Sequence, residues 1–296
     1  MPRTTLEFSD RLLNCPLCDG PIHHWAGKIR EGQEFQYDRC GECEFVFVNP
    51  RATLNALAEY YGAANSSEPA PVISADLRQI GKWPVKAIAQ MLKLRPAPGH
   101  LLDIGAADGG FSLAAIRAGL EVTALEVDPN DVRSLEAIRG VHIVQSMFEG
   151  FDPPPESFDY VLMSHVLEHA YEPKRWIEKA AAALRPGGVL AIMLPHFDSI
   201  YRYLGGTRDP YFVPPEHLNH FNVRSLSRLC EQFGMKVVRL ETASGFKNDV
   251  LVKRVALPAP LVPVVRGLTS AASALLDWTT WAGGIGSVLI LHARKK

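Results

Sequence analysis

The 296-residue sequence predicts an α/β protein: a seven-stranded, mostly parallel sheet with helices on both faces, preceded by a small cysteine-rich ribbon. Three observations carry this. From Leu101 onward, apolar runs of strand length alternate with helical periodicity, the pattern of a parallel sheet wrapped by its own crossovers. The first of these runs leads into a glycine-rich turn, so that residues 101–110 read LLDIGAADGG. Four of the five cysteines fall in the first 43 residues as two hooks, Cys15-Pro-Leu-Cys18 and Cys40-Gly-Glu-Cys43.

Length suits a domain of ~200 residues with an appendage. With 47% hydrophobic and 21% charged residues, the chain has the composition of an ordinary globular protein with a large core. The net charge of −1 gives no electrostatic case for nucleic acid or an anionic membrane. MPRTTLEFSD contains no apolar run of signal length, so cytoplasmic residence is expected. Between Ala256 and Leu291 the uncharged runs are broken by Arg266 and Asp277 and stay below the ~18 residues of a membrane span, so no transmembrane segment is expected. Oligomeric state has no signature in the sequence.

Taken in order, residues 1–50 read as a zinc ribbon. Two C-x-x-C hooks 21 residues apart can place four thiolates, Cys15, Cys18, Cys40 and Cys43, around one tetrahedral Zn²⁺. Such a site is closed and structural, with no position left for water or substrate. Disulfides are disfavoured in a chain without a secretion signal. Between the hooks, Ile22 to Tyr37 alternates as a hairpin, with turn residues expected at Gly27 and Gly32; His23 and His24 read as surface residues. Lys28, Arg30 and Arg39 stand against six acids, a poor phosphate-binding surface, so the ribbon is expected to be a scaffold or substrate wall. Phe45 to Pro50 reads as its last strand. Residues 51–98 form a helical linker or cap: a helix at Thr53–Tyr61, a loop at Asn65–Pro71, and a helix at Ala75–Leu94 kinked at Trp83-Pro84.

The main domain occupies 99–296, with substrate-lid insertions at about 196–222 and 245–284. Strands are expected at 101–104, 121–127, 141–146, 160–163, 189–194, 236–243 and 286–293. In the turn after the first strand Gly105 can take positive φ, Ala107 adds little bulk, and Gly109 with Gly110 lets the next helix start close to the strand. Gly105, Ala107 and Gly110 also satisfy the G-x-G/A-x-x-G spacing of a dinucleotide site. Charge separates the two readings. Asp103 and Asp108 would oppose a pyrophosphate, which wants backbone N–H groups and positive potential, and would welcome the ammonium and sulfonium of S-adenosylmethionine. Glu126, ending the second strand, can accept hydrogen bonds from ribose hydroxyls in either cofactor.

The turn resembles motif I of the class I S-adenosylmethionine-dependent methyltransferases, with Ala107 where a glycine is usual. Phe158-Asp159, Leu167-Glu-His169 and Leu184-Arg-Pro-Gly-Gly188 follow in that family's order, so the resemblance spans roughly residues 99 to 240. It implies a Rossmann-like sheet closed by an antiparallel pair. It also implies that Asp103, Gly105, Ala107 and Gly109 hold the methionine part of the cofactor, Glu126 the ribose, Ser146 and Met147 the adenine, and that Ser164 and His165 edge the sulfonium. The ribbon and the later Pro214-Pro-Glu-His-Leu-Asn-His-Phe221 resemble a subset acting on small polar molecules, a sugar or sugar-containing metabolite. In that setting His217, His220 and His196 are candidate proton acceptors, His217 foremost. An RNA-modifying methyltransferase gripping its substrate with the ribbon, and a non-catalytic module retaining the cofactor fold, remain alternatives. His165-x-x-Glu168-His169 also spells a zinc-protease motif, but it follows a parallel strand directly and no third ligand is signalled.

Overall fold

Two sheets organise residues 6–64, 82–243 and 283–296, the part of the chain that the computed structural model describes. The loop expected at 65–71, the start of the helix expected from Ala75, and nearly all of the insertion expected at 245–284 lie outside these residues.

The larger sheet is the one the alternation predicts. Its parallel strands are β4 (His100–Ile104), β5 (Glu121–Glu126), β6 (Val141–Gln145), β7 (Phe158–Ser164) and β8 (Leu184–Pro195). An antiparallel pair, β10 (Met235–Ala243) and β11 (Val288–Lys295), closes it in the order β10-β11-β8-β7-β4-β5-β6. The strand order reverses between β4 and β7, which opens a crevice at their carboxyl ends. On one face pack α2 (Lys82–Leu94), α3 (Gly110–Arg117) and α4 (Pro129–Glu136), joined to the sheet by residues such as Ile88, Ala115 and Leu135. On the other lie α5 (Pro173–Ala183) and α6 (Val223–Gln232), through Ile177, Leu226 and the buried Cys230. Helix α6 is capped by Asn222, whose side chain and that of Ser225 form a reciprocal capping box.

The smaller sheet revises the reading of the ribbon. Its hairpin is β1 (Ile22–Arg30) with β2 (Gln33–Cys40), turning at Glu31 and Gly32, both with positive φ. Gly27, expected at a turn, instead lies inside β1 opposite Gln36. Residues 45–50 yield the short β3 (Val46–Val48), and this is not the last strand. Beside it runs β9 (Asn219–His220), with Val46 opposite His220 and Phe47 opposite Asn219. The ribbon sheet is thus completed by the lid segment, and the cysteines share one hydrophobic cluster with the main sheet. Helix α1 (Leu54–Ala64) covers the ribbon's other side with Ala56 and Leu57.

Pro84 falls in the first turn of the described part of α2, so the kink expected at Trp83-Pro84 sits at the edge of the described residues. Leu184 to Gly188, expected to precede the strand at 189–194, is instead the irregular start of β8, with Leu184 opposite Phe158 and Val189 opposite Tyr160. A Cβ on Gly188 would stand 2.8 Å from the Arg185 carbonyl oxygen, which explains the glycine. Asp159 explains its neighbour motif: its carboxylate accepts from the His100 N–H at 2.9 Å, from Arg185 at 2.6 Å and from Arg95. It therefore brackets the amino ends of the strands, far from the crevice.

Candidate functional site

The crevice is built from backbone first. β4 ends at Ile104, in register with Leu125 of β5 and Met163 of β7, so the next residues of all three strands converge on the switch point. Gly105 has φ 68°, and a Cβ there would meet Val166 Cγ1 at 2.2 Å. Gly109, φ 82°, caps α3 and presses on Leu135 and Ile138. Gly110 has neither constraint. Ala107 adopts left-handed φ 47° without being glycine, a departure from the common backbone regions of the kind that gathers at ligand sites.

Acids surround this turn. Glu126 is buried, and its carboxylate accepts from the backbone N–H groups of Ala107 (2.8 Å), Val127 (2.6 Å) and Asp128 (2.9 Å), which fixes it across the turn. Asp103 is 1% exposed and accepts from Ser112 Oγ at 2.7 Å. It lies beneath the turn and holds α3 in place. Burial, with the fields of Glu126 and Asp108 adding to it, raises its pKa to about 7. Asp131 is raised to about 6 by burial and by Glu126, Asp128 and Asp108. Such mutual repulsion among carboxylates favours a cation arriving in the crevice. At neighbouring strand ends stand Ser146 and the exposed Met147 after β6, and Ser164 with His165 after β7. His165 is a second non-glycine residue with left-handed φ, 54°.

From His165 the chain passes over the cofactor turn, Val166 against Gly105, into a single 3-10 turn, Leu167–His169. Here the three histidine candidates separate. His196 is 2% exposed, with Nδ1 on the Gly286 carbonyl at 3.0 Å. His220 is 3% exposed, stacked on Phe212 with ring centroids 4.1 Å apart, and burial drives it well below its ordinary pKa. Both are enclosed by packing. His217 instead meets Glu168 and His169: one ligand atom from each lies within 4.8 Å of the others. Burial, reinforced by His169, lowers His217 to about 4, so its ring is neutral. Burial pushes the Glu168 carboxyl up, but the imidazole of His165 and the field of His169 outweigh it and keep its pKa below the ordinary value.

Sequence reasoning named His217 and missed its partners Glu168 and His169. The signal was the H-x-x-E-H run, set aside for want of a third ligand that the lid supplies from 48 residues downstream. The lid is held by the ribbon. Lys28 Nζ donates to the carbonyl oxygen of Thr207 at 2.8 Å, Arg30 donates to that of Pro214 at 2.9 Å and pairs with Glu216, and Tyr60 Oη donates to Glu216 at 2.8 Å. Asn219 Nδ2 donates to the carbonyl oxygen of Ala170 at 2.7 Å, which pins lid to 3-10 turn.

At the ribbon's far end the four sulfurs also gather within 4.8 Å, Cys15 3.6 Å from Cys43 and Cys18 3.5 Å from Cys40. Backbone N–H groups of Leu17, Glu42 and Cys43 point at these sulfurs, as thiolates on a metal require. The set fits one tetrahedral zinc ion.

A family model described as a methyltransferase domain matches residues 77–240. The chain belongs to the class I S-adenosylmethionine-dependent methyltransferases. A ubiquinone biosynthesis O-methyltransferase of Xanthomonas axonopodis pv. citri is 35% identical over 115 residues, 36% of this chain and 47% of that protein. The chain thus spans about half the length of the curated relatives it matches. Among solved structures, an S-adenosylmethionine-dependent methyltransferase from Mesorhizobium loti aligns with TM-score 0.52 at 17% identity, over 74% of this chain and 100% of that one. The [4+2]-cyclase SpnF aligns with TM-score 0.51 at 17% identity, over 83% of this chain and 98% of that one. These two likenesses establish the fold. No helix among the described residues is long and apolar enough to cross a membrane.

Proposed function

We propose that the protein transfers the methyl group of S-adenosylmethionine to an oxygen of a small, hydroxyl-bearing molecule. The observation that carries this is the continuity of the two half-sites: Val166 packs on Gly105 of the cofactor turn, and three residues later the same segment delivers His169 beside Glu168 and His217. The acidic turn would receive the ammonium and sulfonium, Gly105, Ala107 and Gly109 the methionine part, Glu126 the ribose, Ser146 and Met147 the adenine, and Ser164 with His165 the sulfonium end; Asp103, expected among the methionine contacts, is enclosed beneath the turn and supports it from there. The acceptor oxygen forms a bond to the methyl carbon as the carbon–sulfur bond breaks, its electron pair staying on sulfur to leave S-adenosylhomocysteine. The hydroxyl proton leaves through the Glu168–His169–His217 cluster, and the lid supplies positioning, the larger part of the acceleration.

Oxygen as the acceptor is supported by the named O-methyltransferases among the relatives, and a polyhydroxylated acceptor such as a sugar by the polar cluster. Zinc on the four cysteines is structural in this reading. Use of the ribbon to grip RNA is disfavoured because Lys28, Arg30 and Arg39 are all engaged within the protein, the last with Glu44. The test is calorimetric. S-adenosylmethionine binds and a nicotinamide dinucleotide does not, and Glu126→Ala weakens binding about ten- to a hundredfold by removing charge-assisted ribose contacts. Unchanged affinity in that variant overturns the cofactor assignment. A panel of sugars and phenols assayed for S-adenosylhomocysteine then fixes the acceptor; cofactor binding without turnover of any of them favours the non-catalytic reading, and salt-sensitive RNA binding lost with the ribbon favours the RNA one.

A further inference from the structure

We propose that Glu168, His169 and His217 form a second metal site, distinct from the cysteine ribbon, which binds one divalent first-row transition ion and presents it to the acceptor's oxygens. Its use in catalysis rests on the methyl-transfer reading above; its existence does not.

Three features point to an ion. First, Glu168 is 1% exposed, and among the described residues neither carboxylate oxygen has a hydrogen-bond partner. A carboxyl group buried with both oxygens unpartnered is costly unless something compensates them, and a cation can do so. His165 Nδ1, 3.4 Å from Oε1, approaches one oxygen from a half-exposed position without hydrogen-bond geometry, and leaves the other oxygen alone. Second, both imidazoles are oriented as metal ligands are. His169 Nδ1 lies 2.9 Å from the Glu216 carbonyl oxygen and His217 Nδ1 lies 2.8 Å from that of Tyr211. Only a protonated nitrogen can donate to a carbonyl, so Nδ1 carries a hydrogen on each ring and Nε2 is the nitrogen left to offer a lone pair to an ion, the arrangement by which outer partners fix a ligating histidine. Third, the ligand-bearing segments are fastened to one another: Leu218 N–H donates to the Glu168 carbonyl at 2.9 Å, and Asn219 clamps the 3-10 turn. A site assembled from two distant segments is held in place before any ligand arrives.

The donor set selects the ion. Two imidazole nitrogens and one carboxylate suit Mn²⁺, Fe²⁺, Co²⁺ or Zn²⁺, whereas Mg²⁺ and Ca²⁺ prefer oxygens alone and thiolate-seeking ions would go to the ribbon. Three protein ligands leave positions open, which is how catalytic sites differ from the closed four-cysteine set. An ion there would bind the acceptor's oxygen and acidify its hydroxyl beside the methyl donor, and with the ion bound the proton would pass to solvent water and not to the ligating groups.

The experiment titrates the full-length protein, its ribbon first saturated with zinc, with Mn²⁺, and follows loss of the free-ion signal by electron paramagnetic resonance. Mn²⁺ does not compete for four thiolates, so it reports on the second site. One equivalent is expected to bind, to be lost in Glu168→Gln, and to bind at least tenfold more weakly in His169→Ala, each variant still binding S-adenosylmethionine as a control for folding. Should Glu168→Gln fail to fold, the wild-type stoichiometry and His169→Ala decide. Absence of any Mn²⁺, Co²⁺ or Zn²⁺ beyond the ribbon's equivalent, or a second ion indifferent to both substitutions, overturns the proposal. Because the titration needs no acceptor, a bound second ion without turnover would sink only the methyl-transfer reading, and turnover without a second ion would sink only this one.

Discussion

The two halves of the proposed site are built differently. The cofactor half is made of backbone and a few acids within one stretch and its neighbouring strand ends, so its requirements are local: positive φ at Gly105, a close approach at Gly109, a carboxylate at Glu126. The acceptor half is made of side chains from a 3-10 turn and a lid that the ribbon holds in place. The first depends on residues a reader can find side by side; the second depends on tertiary structure. The contrast predicts that damage to one half can be kept from the other.

The largest separation is expected on removing the zinc proposed for the four cysteines. Cys40→Ser, or a strong chelator, should cost on the order of 5 kcal/mol of stability, roughly 10 °C in Tm. Turnover should vanish while S-adenosylmethionine affinity falls less than tenfold, as read by scanning calorimetry, activity and binding together. If affinity and turnover fall in step, the two halves are one. Gly105→Ala strikes the other half: a left-handed φ and a methyl 2.2 Å from Val166 together should cost about 2–4 kcal/mol, seen as a thirtyfold or greater loss of cofactor affinity. Undiminished affinity would mean that Val166 yields freely and the turn is less rigid than its geometry states.

A smaller effect concerns Asp103. Its folded pKa, about 7, is above its ordinary 3.8, so between those values the folded chain keeps a proton that the unfolded chain has lost. The contribution of this group to stability therefore declines as pH rises from about 4 to 7, by a few kcal/mol at most. Asp103→Asn should remove that decline, so the variant gains on the wild type between pH 5 and pH 8 in thermal melts; a gap that does not widen with pH refutes the assignment. The smallest effect is reserved for Gly110→Ala. With ordinary φ and its nearest neighbour Asp108 Oδ1 3.3 Å from the new methyl, it should change stability and cofactor affinity by less than about 0.5 kcal/mol. Placed beside Gly105→Ala, it shows which glycine the site needs.

The same contrast explains what could be read in advance. Strand alternation, the four cysteines and the acid-flanked turn obey short-range rules, and the seven strands fell within a few residues of where those rules put them. Asp103 was legible as an acid but not as a buried one; which way a strand-end carboxylate turns depends on Ser112, a residue of the next helix. The pairing of β9 with β3 could not be seen, because a two-residue strand carries no periodicity and its partner lies more than 170 positions away. For the same reason H-x-x-E-H looked incomplete: its third member is brought by a loop whose position the ribbon sets.

That junction has a practical bearing on altering what the protein accepts. Grafting residues 206–222 from a relative would import a β9 without the edge it evolved against, and grafting the ribbon alone would leave the resident β9 opposite a foreign Val46 and Phe47. The exchangeable module is discontinuous, the first fifty residues together with the segment after β8, and shuffling that respects the chain's linear order will cut it in two.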